Sequence, residues 1–281
     1  MLKRPHSTGE RLMQFENNII TLEHLHRYAI TAELVSGKLV VDIACGEGYG
    51  SALLAKKAMQ VTGIDLDPAI IDYAQKKYQR KNLSFMQGSI LQIPLDDHVA
   101  DIVVSFETLE HVGDHEKVFA EIKRILKPGG LLILSTPDKN FYSDQSGHKN
   151  PFHVRELYPD NLSELALKFF QKGQLYRQIS GYFSLIISDH SDQGTEYFTG
   201  DFQQLNKLPI IPAPYVLLLA SDQSIPPIPS STFTNPLVLD QMLTDKEVAI
   251  KETYSYKIGH ALLYPFKILR NFFRSSKKKQ G

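Results

Sequence analysis

Apolar and polar positions change period repeatedly between residues 38 and 137, which predicts strands that alternate with helices. The apolar, β-branched runs are typical of buried parallel strands. The expected strands are 39–44, 61–65, 83–88, 100–106 and 131–137. The expected helices are 50–58, 68–78 and 115–126, the second of them with Asp67 as N-cap and Pro68 at its first position. This order predicts an α/β fold with a mostly parallel sheet, right-handed crossovers and helices on both faces.

The pattern is less regular on both sides of this region. A helix is expected at 21–35, with Thr21 as N-cap, and a weaker helix at 10–18. After Pro137 the expected elements are a polar loop (138–151), a helix (156–170), a strand (174–180), a late strand (215–221) and an extended proline-rich stretch (222–238). The chain is thus divided into an N-terminal helical cap (1–37), a main domain (38–222) that includes a variable lid (138–214), and a linker with a C-terminal tail (223–281).

Composition narrows the functional classes. The 281 residues carry no net charge, and Cys45 is the single cysteine, so disulfide and cysteine-metal scaffolds are excluded. No apolar run has the length of a signal peptide or membrane span, which predicts a cytoplasmic protein. No basic patch accompanies the main domain, so nucleic acid is not an expected partner.

The basic charge is concentrated at the end of the chain. Residues 251–281 hold eight Lys or Arg against one Glu, a net charge of +7. Apolar residues recur at helical spacing over 257–274 beside a basic face, although Pro265 interrupts the run. This pattern predicts contact with the inner face of a membrane, and a terminal helix docked on the domain is an equal alternative.

A glycine-rich turn follows the first expected strand. Gly46 and Gly48 permit a sharp bend and close approach to a ligand, and Asp65 ends the second strand nineteen residues after Gly46. A carboxylate there can accept hydrogen bonds from both hydroxyls of a ribose. The dinucleotide fingerprint would need a third glycine, where this chain has Ser51.

The ordered set of Asp42 to Gly48, Asp65, Gly88-Ser89 and Lys127 to Gly130 resembles class I S-adenosylmethionine-dependent methyltransferases over residues 20–137. The resemblance implies a Rossmann-like sheet whose late antiparallel strand is 215–221. Ala44 replaces the first glycine of the usual triplet, a departure expected to be harmless, and Ser89 replaces a frequent aspartate. The residues expected to bind S-adenosylmethionine are Asp42, Ala44, Gly46, Gly48, Asp65, Leu66, Gly88, Ser89 and Phe106.

The segment after the fourth strand carries the candidate chemistry. Glu107, Glu110 and His111 have spacings of i, i+3 and i+4, which would put them on one face of a helix. An oxygen nucleophile must lose its proton during methyl transfer, to a general base or with help from a metal. The expected catalytic residues are Glu107, Glu110, His111 and His153.

The Glu-x-x-Glu-His pattern is similar to the metal-binding segment of the ubiquinone-pathway O-methyltransferases and of RNA terminal-ribose methyltransferases. That similarity implies a cation, Mg²⁺ or Mn²⁺, held by Glu107, Glu110, His111 and either His148 or His153. The alternative is an enzyme without metal, in which a histidine acts as the base.

Residues 23–28, 44–51 and 150–165 together resemble methyltransferases that occur with glycosyltransferases in bacterial surface-polysaccharide pathways. The resemblance implies O-methylation of a sugar or glycan hydroxyl, with glycosyltransferases as candidate partners. Two alternatives stay open, a small quinone or phenol acceptor and a cofactor-binding scaffold for glycan assembly.

Overall fold

The computed structural model describes residues 18–188, 197–200, 204–208, 210–259 and 262. Within them, one compact unit ends at Thr234 and a second begins at Asn235. The helix expected at 10–18 and almost all of the amphipathic pattern in the tail lie outside the described residues. None of the described helices combines the length and apolar character needed to cross a bilayer.

The first unit alternates strands and helices as expected. Its helices are α1 Ile19–Ala32, α2 Tyr49–Leu54, α3 Pro68–Lys77, α4 His115–Ile125 and α5 Pro159–Leu167. Its strands are β1 Leu39–Ile43, β2 Gln60–Asp65, β3 Leu83–Gln87, β4 Ala100–Phe106, β5 Leu126–Pro137, β6 Lys172–Ser180, β7 Ser184–Ser188, β8 Tyr197–Gly200, β9 Leu205–Leu208, β10 Tyr215–Ser221 and β11 Ser231–Phe233. The second unit contains α6, Pro236–Glu252.

Nine strands form one sheet in the order β11-β7-β6-β10-β5-β4-β1-β2-β3. The pairs β3–β2, β2–β1, β1–β4 and β4–β5 are parallel, whereas β10 is antiparallel to both β5 and β6. The expected Rossmann-like sheet with a late antiparallel strand is therefore confirmed. Since the carboxyl ends of β1, β2, β4 and β5 lie at the same edge, the segments that follow these strands meet there.

The sheet separates two apolar cores. On one face, α4 packs through Val118, Phe119, Ile122 and Ile125, whose spacing forms one helical stripe. The other core includes Tyr28 and Val35 beside the buried strand residue Val40. Burial on both faces explains why the central strands are continuous apolar runs.

Some boundaries differ from expectation. Asn18, and not Thr21, is the N-cap of α1, because its side chain accepts the Thr21 backbone N–H at 3.0 Å. The expected lid is partly sheet, since β6 and β7 belong to the nine-stranded sheet and β8 pairs with β9 in a separate hairpin. The stretch expected to be extended to residue 238 contains β11, and α6 begins at Pro236.

Candidate active site

The glycine-rich turn between β1 and α2 has an unusual backbone. Ala44, Gly46 and Gly48 have φ values of 58°, 55° and 81°, all in the left-handed region. A side chain at Gly48 would place its Cβ 2.6 Å from the Phe85 ring. The backbone of Ala44 is strained, because the left-handed conformation of an L-residue costs about 1–2 kcal/mol. The expected replacement of glycine by Ala44 therefore carries backbone strain, and its effect on cofactor binding stays a prediction.

Asp65 connects this turn to the end of β2. Its carboxylate accepts the backbone N–H of Gly46 at 2.9 Å and that of Asp67 at 3.0 Å. Asp67 caps α3 through its own side chain, as expected. A carboxylate oxygen can accept more than one hydrogen bond, and the neighbouring Leu66 side chain is 68% exposed. A carboxylate acceptor beside an exposed apolar side chain fits a ribose and its base.

Asp42 lies behind the turn and not on its open side. The side chain is buried, and its carboxylate accepts hydrogen bonds from Ser51 Oγ at 2.6 Å and Tyr28 Oη at 3.3 Å. Burial raises the pKa of Asp42 to about 7, against the effect of these two hydrogen bonds. Gly50 is required here, since a Cβ would lie 1.9 Å from the Tyr28 ring. Asp42 therefore supports the turn instead of lining its open side.

Three other residues that were expected to contact the cofactor make hydrogen bonds or packing contacts within the protein. Gly88 donates its N–H to the Asp65 carbonyl at 3.0 Å, and Ser89 Oγ accepts the Leu91 N–H at 3.2 Å. Phe106 is buried and packs edge-on against Tyr28, with ring centroids 5.0 Å apart. These residues shape the walls of the site at the ends of β3 and β4.

The segment after β4 is not the expected helix. Leu109–His111 forms a single 3₁₀ turn, and Glu107 precedes it with a φ of 48°. The expectation that Glu107, Glu110 and His111 share one helical face is therefore wrong. The backbone turns Glu107 away from the other two, toward the N-terminal helix.

Glu107 is paired with Arg27 of α1. The two side chains approach to 3.0 Å, and Glu107 also accepts Ser135 Oγ at 2.7 Å. Arg27 is fully buried, donates Nε–H to Gln178 at 2.6 Å and stacks over Tyr215 at 4.8 Å. Its Nη2 has no hydrogen-bond partner in the described chain. The sequence analysis did not identify Arg27 as a site residue. The signal that could have identified it is a charged residue on the apolar face of α1.

Glu110, His111 and His153 form a compact cluster beside this pair. Each offers one ligand atom, and these atoms lie within 4.8 Å of one another. His111 Nε2 is 3.8 Å from Glu110 Oε1, while its Nδ1 lies 3.1 Å from the Phe152 carbonyl oxygen. Because only a protonated nitrogen can donate to a carbonyl, this contact assigns the proton of neutral His111 to Nδ1 and leaves Nε2 as the basic nitrogen.

His153 is held from both sides of its ring. Nδ1 lies 2.5 Å from Glu156 Oε1, and Nε2 lies 3.0 Å from Asn150 Nδ2. Tyr142 stacks on the ring with centroids 5.3 Å apart. His148 contacts the edge of Tyr142 and is not part of the cluster. Of the two histidines expected as alternatives, His153 is therefore the one beside Glu110.

Glu110 is buried and accepts Thr136 Oγ1 at 2.9 Å. Burial, and next the charge of Glu107, raise the pKa of Glu110 well above its usual range. Burial therefore favours the protonated form of Glu110, and a cation that binds there competes with the proton.

The sequence and the fold were then compared with known proteins. Residues 41–134 match the family model described as a methyltransferase domain. A probable S-adenosylmethionine-dependent methyltransferase of Mycolicibacterium smegmatis is 36% identical over 161 residues, 56% of this chain and 62% of that protein. A ubiquinone biosynthesis O-methyltransferase of Coxiella burnetii is 36% identical over 109 residues, 38% of this chain and 47% of that protein. The chain thus spans less than two thirds of the length of these relatives.

An S-adenosylmethionine-dependent methyltransferase of Thermotoga maritima has the same fold. It superimposes with a TM-score of 0.52 at 19% identity, over 72% of this chain and 90% of that one. The similarity agrees with the Rossmann-like order of the sheet.

Proposed function

We propose that the protein methylates a hydroxyl group with S-adenosylmethionine, since residues 41–134 match the methyltransferase-domain family model and the sheet has a Rossmann-like methyltransferase fold. The observation that carries the proposal is the juxtaposition of two parts at one sheet edge. The Gly46 turn and Asp65, joined by a hydrogen bond of 2.9 Å, lie after β1 and β2, and the imidazoles of His111 and His153 lie after the neighbouring strands β4 and β5.

The residues present fit the cofactor. Asp65 would accept the ribose hydroxyls, and Leu66 would cover the base. Arg27 would hold the carboxylate of the methionine end, because a buried guanidinium nitrogen without a partner needs an acceptor. When bound, the cofactor supplies a sulfonium methyl group that an oxygen can attack in line.

His111 is the proposed general base. Its Nδ1–H is engaged by the Phe152 carbonyl, so Nε2 is the nitrogen that would take the proton of the attacking hydroxyl. The side chain is partly exposed, at 31%, so an acceptor can reach it. Glu110 Oε1 lies 3.8 Å from Nε2, and because burial disfavours the charged form of Glu110, its stabilisation of the protonated ring is weakened and onward release of the proton is favoured.

A cation on Glu110, His111 and His153 is the alternative arrangement. Two imidazoles and a carboxylate oxygen suit Mn²⁺ better than Mg²⁺, which prefers oxygen ligands. Glu107 would not take part, since it is engaged by Arg27 and Ser135. The raised pKa of Glu110 favours the arrangement without metal, because a cation needs the charged carboxylate that burial disfavours.

The proposed acceptor is a hydroxyl of a sugar in a glycan. Polar side chains between β5 and α5 stay at least partly exposed, namely Lys139, Asn140, Asp144 and Asn150. Phe152, which is 51% exposed, adds an apolar face beside them. This mixture suits a pyranose ring, and it fits a partnership with glycosyltransferases that would supply the acceptor.

A quinone or phenol acceptor is the second candidate, because one relative is named as a ubiquinone biosynthesis O-methyltransferase. A flat ring could use the same exposed Phe152 face. A scaffold without catalysis is disfavoured by the intact imidazole cluster beside the cofactor recess.

Activity in the presence of a chelator distinguishes the cluster with His111 as general base from the cluster with a bound cation. We expect methyl transfer to continue in excess chelator and His111→Ala to lose about a hundredfold or more in rate while still binding cofactor. His148→Ala is the matched control, since this exposed histidine lies outside the cluster and its loss should leave the rate near wild type. If activity is lost in chelator and recovers when Mn²⁺ or Mg²⁺ is added, His111 is not the general base and the cluster binds a cation instead.

A further inference from the structure

A polar cavity of about 450 Å³ is lined by residues that follow His111 and His153 in the chain. Its lining comes from the start of α4, from α5 and from the segment that leads into α5. The polar side chains on its walls include His115, Arg155, Asn161, Glu164 and Lys168.

The cavity and the imidazole cluster are built from the same two chain segments. Gly113 lines the cavity two residues after His111, and Arg155 lines it two residues after His153. The two segments are joined at Glu110, whose carbonyl accepts the N–H groups of residues 154 and 155 at 2.8 and 3.0 Å. A ligand in the cavity would therefore contact the two segments that carry the imidazole cluster.

His115 is the buried polar group in the cavity wall. The residue is 3% exposed, and neither ring nitrogen makes a hydrogen bond within the described ranges. The carbonyls of Leu109 and Val112 are close enough to influence the ring but do not complete a hydrogen bond. A neutral imidazole presents one donor and one acceptor, so its natural complement is a group that can both accept and donate, as a hydroxyl does.

The charges of the cavity do not favour an anion. Lys168 is paired with Glu116 at 2.7 Å, and Asp114 is engaged as the N-cap of α4. This leaves Arg155 and Glu164, neither of which forms an ion pair with another described residue. One cation and one carboxylate together cancel in charge and offer donors and acceptors to neighbouring hydroxyl groups.

We infer that this cavity is a carbohydrate subsite, which holds a sugar ring adjacent to the ring that is methylated. Its volume lies within the range of small-ligand sites, roughly 300–1,000 Å³. The position of the methylated ring rests on the proposed function, whereas binding of a sugar in the cavity does not.

Saturation-transfer NMR on the full chain tests the subsite without any methyl transfer. The probes are methyl pyranosides of glucose, galactose, mannose and rhamnose at millimolar concentration. We expect at least one to bind, and Glu164→Ala and Arg155→Ala each to weaken that binding by about tenfold or more. Asp160→Ala is the matched control, because this exposed carboxylate on α5 does not line the cavity.

Three results would overturn the subsite. The first is that no pyranoside binds, and the second is that binding is unchanged in both cavity variants while circular dichroism shows them folded. The third is that inorganic phosphate, observed by ³¹P line broadening, binds more tightly than every pyranoside and depends on Arg155. Failure of methyl transfer with intact sugar binding would contradict the proposed function and leave the subsite standing.

Discussion

Replacement of Asp65 by alanine should destabilise the protein even without cofactor. The carboxylate accepts two backbone N–H groups, one from the glycine turn and one from the start of α3. Hydrogen bonds to a charged acceptor are each worth about 1.5–3 kcal/mol. Water can replace part of this in the variant, so we expect a net loss of about 2 kcal/mol in the free energy of unfolding.

Urea unfolding of the apo protein measures this loss, and calorimetric titration of the folded variant measures cofactor binding separately. Asp65→Asn keeps one acceptor oxygen and should lose about half as much stability. Both variants should bind S-adenosylmethionine at least about tenfold more weakly, since the ribose loses a charged acceptor. An apo Asp65→Ala protein with wild-type stability and wild-type cofactor affinity would refute the assigned role.

The remaining predictions concern strain, a buried charge and pH. Ala44→Gly should raise the free energy of unfolding by up to about 1 kcal/mol, because glycine accepts the φ of 58° without strain. A lower unfolding midpoint of this variant in urea would argue against strain at Ala44. Glu107→Gln should destabilise by about 3 kcal/mol, since it leaves buried Arg27 without its counter-charge, and adding Arg27→Met should recover part of this loss in a double-mutant cycle. Burial raises the pKa of Glu23 to about 7 in the folded state, so the native protein holds a proton there that the unfolded chain has released. The stability that this proton contributes is lost as the pH rises from about 4.5 to 7. The free energy of unfolding of Glu23→Gln should therefore depend less on pH over that range than that of the wild type. The same pH dependence in both proteins would count against a buried, protonated Glu23.

The sequence predicted the elements whose patterns depend on burial alone. The strands around Val41 and Val103 are covered on both faces, so a continuous apolar run identifies them. Helix α4 displays its stripe from Val118 to Ile125 for the same reason. The antiparallel strand β10 was also predicted, because its seven residues are almost entirely apolar.

The parts that were missed depend on partners distant in the chain. Glu107 does not take the expected helical position because its side chain pairs with Arg27, eighty positions earlier in the chain. The spacing of neighbouring residues cannot predict such a pair. The strands β7 and β11 are short and contain serine or threonine, so their pairing within the sheet had to come from neighbouring strands. His115 could be recognised as a buried, unpartnered ring only in three dimensions.

Transfer of a labelled methyl group from S-adenosylmethionine into fractionated surface glycan of the native cells tests the central proposal most directly. We expect label in a carbohydrate fraction, in an ether linkage that resists mild alkali, and at least about a hundredfold less of it with His111→Ala. Label that enters only a phenol or quinone fraction, or that is released by mild alkali as an ester would be, would contradict O-methylation of a sugar hydroxyl.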